Sequence, residues 1–223
     1  MKSKKLYLAI VGVLCAISIC SCFIYKSYKN KNLKHIVLLG KPGCGKGTQA
    51  KYLAGKYNLY HVDGGQLLRN CVKDNCKYKD EIQQAFTTAT LVRGEIVKYV
   101  VKKAFEDNLY CLTCRYKGAI IDGMPRNVET IEVFKENNIP FSAVIDLDVS
   151  DENSKNRVLG RNSGRSDDNL EVLARRLQSF REKTLPVFEY YKQQGLYKHV
   201  DVNGTLEEAL AGTSKILDEI YKK

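Results

Sequence analysis

Acidic side chains are missing from the first 34 residues of this 223-residue chain, which hold seven lysines and no aspartate or glutamate. That absence explains much of the formal charge of +11, because the remainder sets 29 basic side chains against 25 acidic ones. A balance so near neutral, with no stripe of alternating basic and aromatic residues, excludes a polynucleotide track and suits small phosphate ligands. Metal-ligand spacing is scarce too. Cys111-Leu112-Thr113-Cys114 has no second pair at ligand spacing, and His35, His61 and His199 are isolated from one another, so no zinc or redox centre is expected. Internal repeats and low-complexity tracts are also lacking, which leaves one compact catalytic domain as the reading of this length.

Charge is absent again from Leu6 to Tyr25, a nearly all-apolar run with Lys2, Lys4 and Lys5 before it and Lys26, Lys29, Lys31 and Lys34 after it. Roughly 20 residues at ~1.5 Å each span hydrocarbon as a helix. The expectation is therefore a single-pass membrane anchor over 1–25, a basic tether over 26–33 and a soluble domain over 34–223. A cleaved signal peptide, with an apolar region of ~7–15 residues, is the competing reading. Lysines balance on the two sides, so orientation is placed by the domain's need for cytosolic ATP. Three of the eight cysteines, Cys15, Cys20 and Cys22, belong to the apolar run, and the others are expected to be reduced thiols.

Beyond residue 34 the chain is rich in short apolar runs. His35 to Gly40, Gly118 to Asp122, Ala143 to Leu147 and Tyr197 to Asp201 read as buried parallel strands, with a weaker one at Leu59 to Val62. Helical periods separate them, including about Lys46 to Tyr57, Asn169 to Gln194 and Thr205 to Lys223. Alternation of this kind predicts a doubly wound α/β fold with its site at the carboxyl ends of the strands. Between the first strand and its helix lies Gly40-Lys41-Pro42-Gly43-Cys44-Gly45-Lys46-Gly47-Thr48. Glycines there let backbone N–H groups converge on phosphate oxygens, and Lys46 with the helix N-terminus adds positive potential.

This loop resembles that of the adenylate kinase family, and further segments over about 34–222 fit the same resemblance. His61 to Arg69 is similar to the start of the family's monophosphate-binding helix, and Leu91-Val92 with Glu95-Ile96-Val97 to the segment that closes that subsite. Asp122-Gly123-Met124-Pro125-Arg126 matches the family's Asp-Gly-Phe-Pro-Arg apart from Met124. Arg157, Arg161, the run Gly164 to Asn169 and Arg176 come in the family's order.

The resemblance implies a five-stranded P-loop kinase that moves the γ-phosphoryl of ATP to a nucleoside monophosphate. A monophosphate-binding segment at about 63–93 and a short lid at about 160–168 would flank the core. Gly43, Gly45, Lys46, Gly47, Thr48, Arg157 and Arg161 would hold ATP. Gly64, Arg69, Val97, Gly123, Arg126, Thr130, Arg165 and Arg176 would hold the acceptor. Lys46, Arg126, Arg161, Arg165, Arg176 and Asp122 would carry the transfer, Asp122 ordering water around Mg²⁺, with Asp167 and Asp168 positioning the lid arginines. A monomer is expected, with ATP and AMP or another monophosphate as its small-molecule partners.

The chemistry of the residues agrees. Arg157, Arg161, Arg165, Arg175 and Arg176, half of the ten arginines, fall within twenty positions, and their planar forks suit bidentate contact with phosphate. Arg175 alone is assigned to a solvated helix face. Three departures concern the acceptor and the metal: Gly64-Gly65-Gln66 stands where the family has Thr-Gly-Asp, Thr130 where it has a base-reading Gln, and Gly47 where most P-loops have a hydroxyl. AMP is the expected acceptor. UMP or CMP is the alternative, on Pro125-Arg126-Asn127 and the short lid, and a tethered nucleotide-binding module without catalysis is the alternative of another class.

Overall fold

A computed structural model describes residues 32–110, 114–160 and 169–221. Strands β1 (His35–Leu39), β2 (Tyr60–Asp63), β3 (Ala119–Asp122), β4 (Phe141–Asp148) and β5 (Tyr197–Asp201) form one sheet of order β2-β3-β1-β4-β5, parallel throughout. All five lie within about two residues of the runs read from sequence. Strands covered on both faces need no polar alternation, which is why β1 reads HIVLL and is buried at every position.

Period two divides the sheet's side chains between two cores. Ile36, Leu38, Ile120 and Ile145 pack under α1 (Lys46–Tyr57) and the final helix (Leu206–Tyr221). Val37, Leu39, Ile121 and Val144 pack on the other face. That face is covered by α2 (Gly64–Lys73), α3 (Lys79–Thr88), α4 (Gly94–Asn108), α5 (Val128–Glu136) and α8 (Leu185–Gln193). Helix α6 (Asp151–Leu159) comes after β4, and α7 (Leu170–Ser179) runs through a π-helical turn (Phe180–Thr184) into α8. The single helix expected over 169–194 is thus helical throughout but wound wider at its middle. The final helix, α9, is the one read from Thr205 onward.

Two expectations are corrected. The membrane anchor at 1–25 and tether at 26–33 fall on residues outside those described except for Asn32 and Leu33, and among the described residues no helix is long and apolar enough to cross a membrane. The membrane localisation is therefore withdrawn. The cysteines are also not all thiols. Cys71, at the end of α2, is joined to Cys76, while the buried Cys44 remains a thiol. Closing so small a loop constrains the unfolded chain by ~2 kcal/mol in the chain-entropy model. Reduction of the bond is expected to lower the urea midpoint by that amount of stability, with no such loss in a Cys71→Ser, Cys76→Ser chain.

His35 adds a pH dependence. Its ring is fully buried between β3 and Phe105 and accepts a hydrogen bond at Nδ1 from the Ala119 N–H (3.1 Å). Burial disfavours the imidazolium and lowers its pKa from 6.5 to about 4. The unfolded chain therefore binds the extra proton below pH 6.5 while the folded chain refuses it down to about 4. Stability is full above that window and is lost as pH falls through it. Unfolding free energy is expected to drop by about 2 kcal/mol between pH 7 and pH 4.5, and a His35→Gln chain to lose this part of the slope.

Candidate functional site

The carboxyl ends of β1, β2 and β3 open into a cavity of about 970 Å³, near the upper end of the ~300–1,000 Å³ common for small-molecule sites. Its floor is the glycine-rich loop between β1 and α1. Close approach of backbone dictates the glycines. A Cβ on Gly40 would lie 2.5 Å from the Leu147 carbonyl, and one on Gly43 2.6 Å from the Ser154 carbonyl of α6; both also hold positive φ. The loop is tied down further by Ser154 Oγ donating to the Pro42 carbonyl (2.7 Å) and by Lys41 Nζ on the Val149 carbonyl (2.8 Å) and Asp151 (2.9 Å). Lys46 folds over the turn, its Nζ donating to the Gly40 (2.8 Å) and Lys41 (3.0 Å) carbonyls. Amide N–H groups and one ammonium thus surround the entrance to α1, as phosphate requires.

Gly45, Gly47 and Thr48 line the same cavity, as do Arg157 and Arg176. Arg157, in the last turn of α6, reaches the Gly204 carbonyl (3.1 Å). Asp122 ends β3 with 8% exposure. On the opposite wall stand Gly64, Arg69, Val97, Gly123, Arg126 and Thr130. Arg126 is anchored at Nε by the Gly123 carbonyl (2.7 Å), and its own carbonyl accepts from Thr184 Oγ1 (3.0 Å) in the π-helical turn. Arg69 is held by Gln66 Oε1 through Nε (3.2 Å) and NH2 (3.1 Å). In sequence Gln66 reads as the loss of a carboxylate; in the fold its side chain props an arginine. Arg161 and Arg165, with all of the lid expected at about 160–168 except Gly160, lie outside the described residues. Arg175 pairs along its helix with Glu171 (3.3 Å) and faces solvent, as read.

Two packing relations are not legible one residue at a time. Met124 turns toward Gly64, so that a Cβ there would meet its Cγ at 2.7 Å and Cε at 2.8 Å. The missing side chain at 64 and the methionine at 124 are therefore one exchange of volume. Thr130 is 4% exposed and closes a capping box at the start of α5: its hydroxyl accepts from the Arg126 (3.1 Å) and Asn127 (3.2 Å) N–H groups and donates to the Asn127 carbonyl (2.9 Å). That hydroxyl is fully engaged within the chain. The acceptor end is otherwise walled by Leu68, Leu91, Val92 and Val97.

Residues 38–196 match the family model described as adenylate kinase. Among curated proteins, an adenylate kinase of Leptospira biflexa is 36% identical over 194 residues, covering 84% of this chain and all of that protein. One from Bacteroides fragilis is 32% identical over 192 residues, covering 83% of this chain and 99% of that protein. The UMP-CMP kinase 3 of Arabidopsis thaliana is 34% identical over 173 residues, covering 77% of this chain and 83% of that protein.

Proposed function

The chain belongs to the adenylate kinase family and is a nucleoside monophosphate kinase, and from that premise we propose that it transfers the γ-phosphoryl group of ATP to AMP, giving two ADP. The observation that carries this reading is the two-sided cleft: a phosphate cradle with Lys46 on one wall, anchored Arg69 and Arg126 on the other, and the buried Asp122 between them.

The loop amides and Lys46 would bind the β- and γ-phosphates of ATP, with Thr48 near the α-phosphate and Arg157 beside the base. Gly43, Gly45 and Gly47 allow that approach. Arg69 and Arg126, already oriented by Gln66 and Gly123, would clamp the acceptor's phosphate in line. An acceptor phosphate is already anionic, so no side chain need remove a proton, and catalysis reduces to alignment and charge. Arg176, with Arg161 and Arg165 assigned from the lid motif alone, would spread positive potential over the equatorial oxygens. The buried carboxylate of Asp122, with Asp63 beside it, suits a hard cation and its water shell. Mg²⁺ would supply neutralisation of the phosphate charge there.

AMP is favoured as acceptor because adenylate kinases are among the relatives matched over nearly their whole length. UMP or CMP is the second reading, supported by the engaged hydroxyl of Thr130 and the bare Gly64, which leave the acceptor's base to apolar walls. With Mg-ATP, kcat/KM is expected to be highest for AMP when ADP production is followed with AMP, UMP and CMP in turn. A higher value for a pyrimidine monophosphate would replace the first reading by the second; binding of all three without turnover would sink the kinase reading.

A further inference from the structure

Beside the phosphate cradle lies a cluster that the transfer reaction does not use in full. His61 and Asp63 are two residues apart on β2 and so share a face, and Asp63 is the register partner of Asp122 on the adjacent strand. One ligand atom from each, a ring nitrogen and two carboxylate oxygens, lie within 4.8 Å of one another, and among the described residues no other such cluster is found. His61 Nε2 is buried without a hydrogen-bond partner and stands 3.8 Å from Asp122 Oδ2.

Two carboxylates placed directly across adjacent strands repel each other unless a cation sits near them. Two cationic side chains lie nearby. Arg69 stays 4.0 Å from Asp63 Oδ2. Lys46 directs its ammonium at carbonyls and the Cys44 sulfur rather than at this pair. Asp63 Oδ1 accepts the Gln66 N–H (2.8 Å), which fixes the carboxylate at the N-cap of α2.

We propose that His61, Asp63 and Asp122 bind a first-row divalent transition cation directly, in the absence of nucleotide. An imidazole with two carboxylates suits Mn²⁺, Co²⁺ or Zn²⁺, whereas Mg²⁺ favours an all-oxygen shell and holds its waters. The site adjoins the cradle: a Cβ on Gly47 would stand 3.4 Å from Asp122 Oδ2. A cation here offsets the local carboxylate charge before any phosphate enters, at a position where Gln66 brings none of its own.

The test uses the full nucleotide-free chain and MnCl₂ alone, with free Mn²⁺ read by its electron paramagnetic resonance signal. One bound Mn²⁺ per chain is expected, displaced by Mg²⁺ only in about 10-fold or greater excess. His61→Gln and Asp63→Asn are each expected to weaken binding at least as much as loss of an outer-shell partner does, ~10–100-fold, while circular dichroism and the melting temperature show that both variants fold. The proposal falls if the wild-type chain binds no Mn²⁺, if the folded variants bind it equally well, or if equimolar Mg²⁺ displaces it. Because no nucleotide is present, failure here leaves the kinase reading standing, and failure of phosphotransfer leaves this result intact.

Discussion

Replacement of Lys46 by Met is expected to lower kcat for phosphotransfer by about 10²–10³, the effect of removing one preorganised donor from a site where transition-state charge develops. The ammonium bridges the Gly40 and Lys41 carbonyls and lines the cavity the ATP phosphates would enter. Methionine approximates the length of the side chain and removes the charge. The KM for ATP should rise less than kcat falls, since catalysis draws on interactions that strengthen in the transition state. Steady-state kinetics with AMP as acceptor reads both quantities, and a thermal melt guards against simple unfolding. Unaltered kcat in a folded variant would remove the loop from the mechanism.

Arg126→Lys should be nearly as damaging although charge is conserved, with kcat/KM for the acceptor falling about 10²-fold or more. Arg126 is not a free cation. The Gly123 carbonyl fixes Nε, and the side chain lines the cleft. Lysine would lose both the anchor and the bidentate geometry. Stability is expected to change little, because the remaining ties, from the Arg126 N–H to Thr130 Oγ1 and from Thr184 Oγ1 to the Arg126 carbonyl, are made by backbone. Titration with monophosphate alone separates the two effects: weakened binding to Arg126→Lys with ATP binding retained places the residue on the acceptor side. Equal loss of both would contradict that placement.

Much of this protein is legible in its sequence because the signals are contiguous. A parallel strand buried on both faces must be apolar at successive positions, so β1, β3 and β4 stand out, and the loop after β1 announces phosphate through its glycines and lysine. Strand β5, read as a buried strand, lies at the sheet edge with only Val200 buried. Helix α1 runs from Lys46 to Tyr57 as read. Side-chain pairings are another matter, even between residues a few positions apart. Gln66 and Thr130 read as lost function until their partners are seen, one supporting Arg69 and the other closing a capping box that also holds the Arg126 N–H. Isolated histidines argue against a metal site when only spacing along the chain is visible. Cysteines five apart at a helix end give no sign of their pairing.

The sequence by itself determined the sheet, the phosphate loop and, through resemblance, the class of reaction, since each depends on residues that are neighbours in the chain or on motifs that keep a family's order. Only the tertiary structure decided which side chains share a space: Met124 in the volume beside Gly64, and His61 and Asp63 facing Asp122 across the register of β2 and β3. Such contacts arise from how strands align and how helices close over them. That alignment is set by the summed burial of two cores rather than by any local pattern, so a single residue cannot announce it.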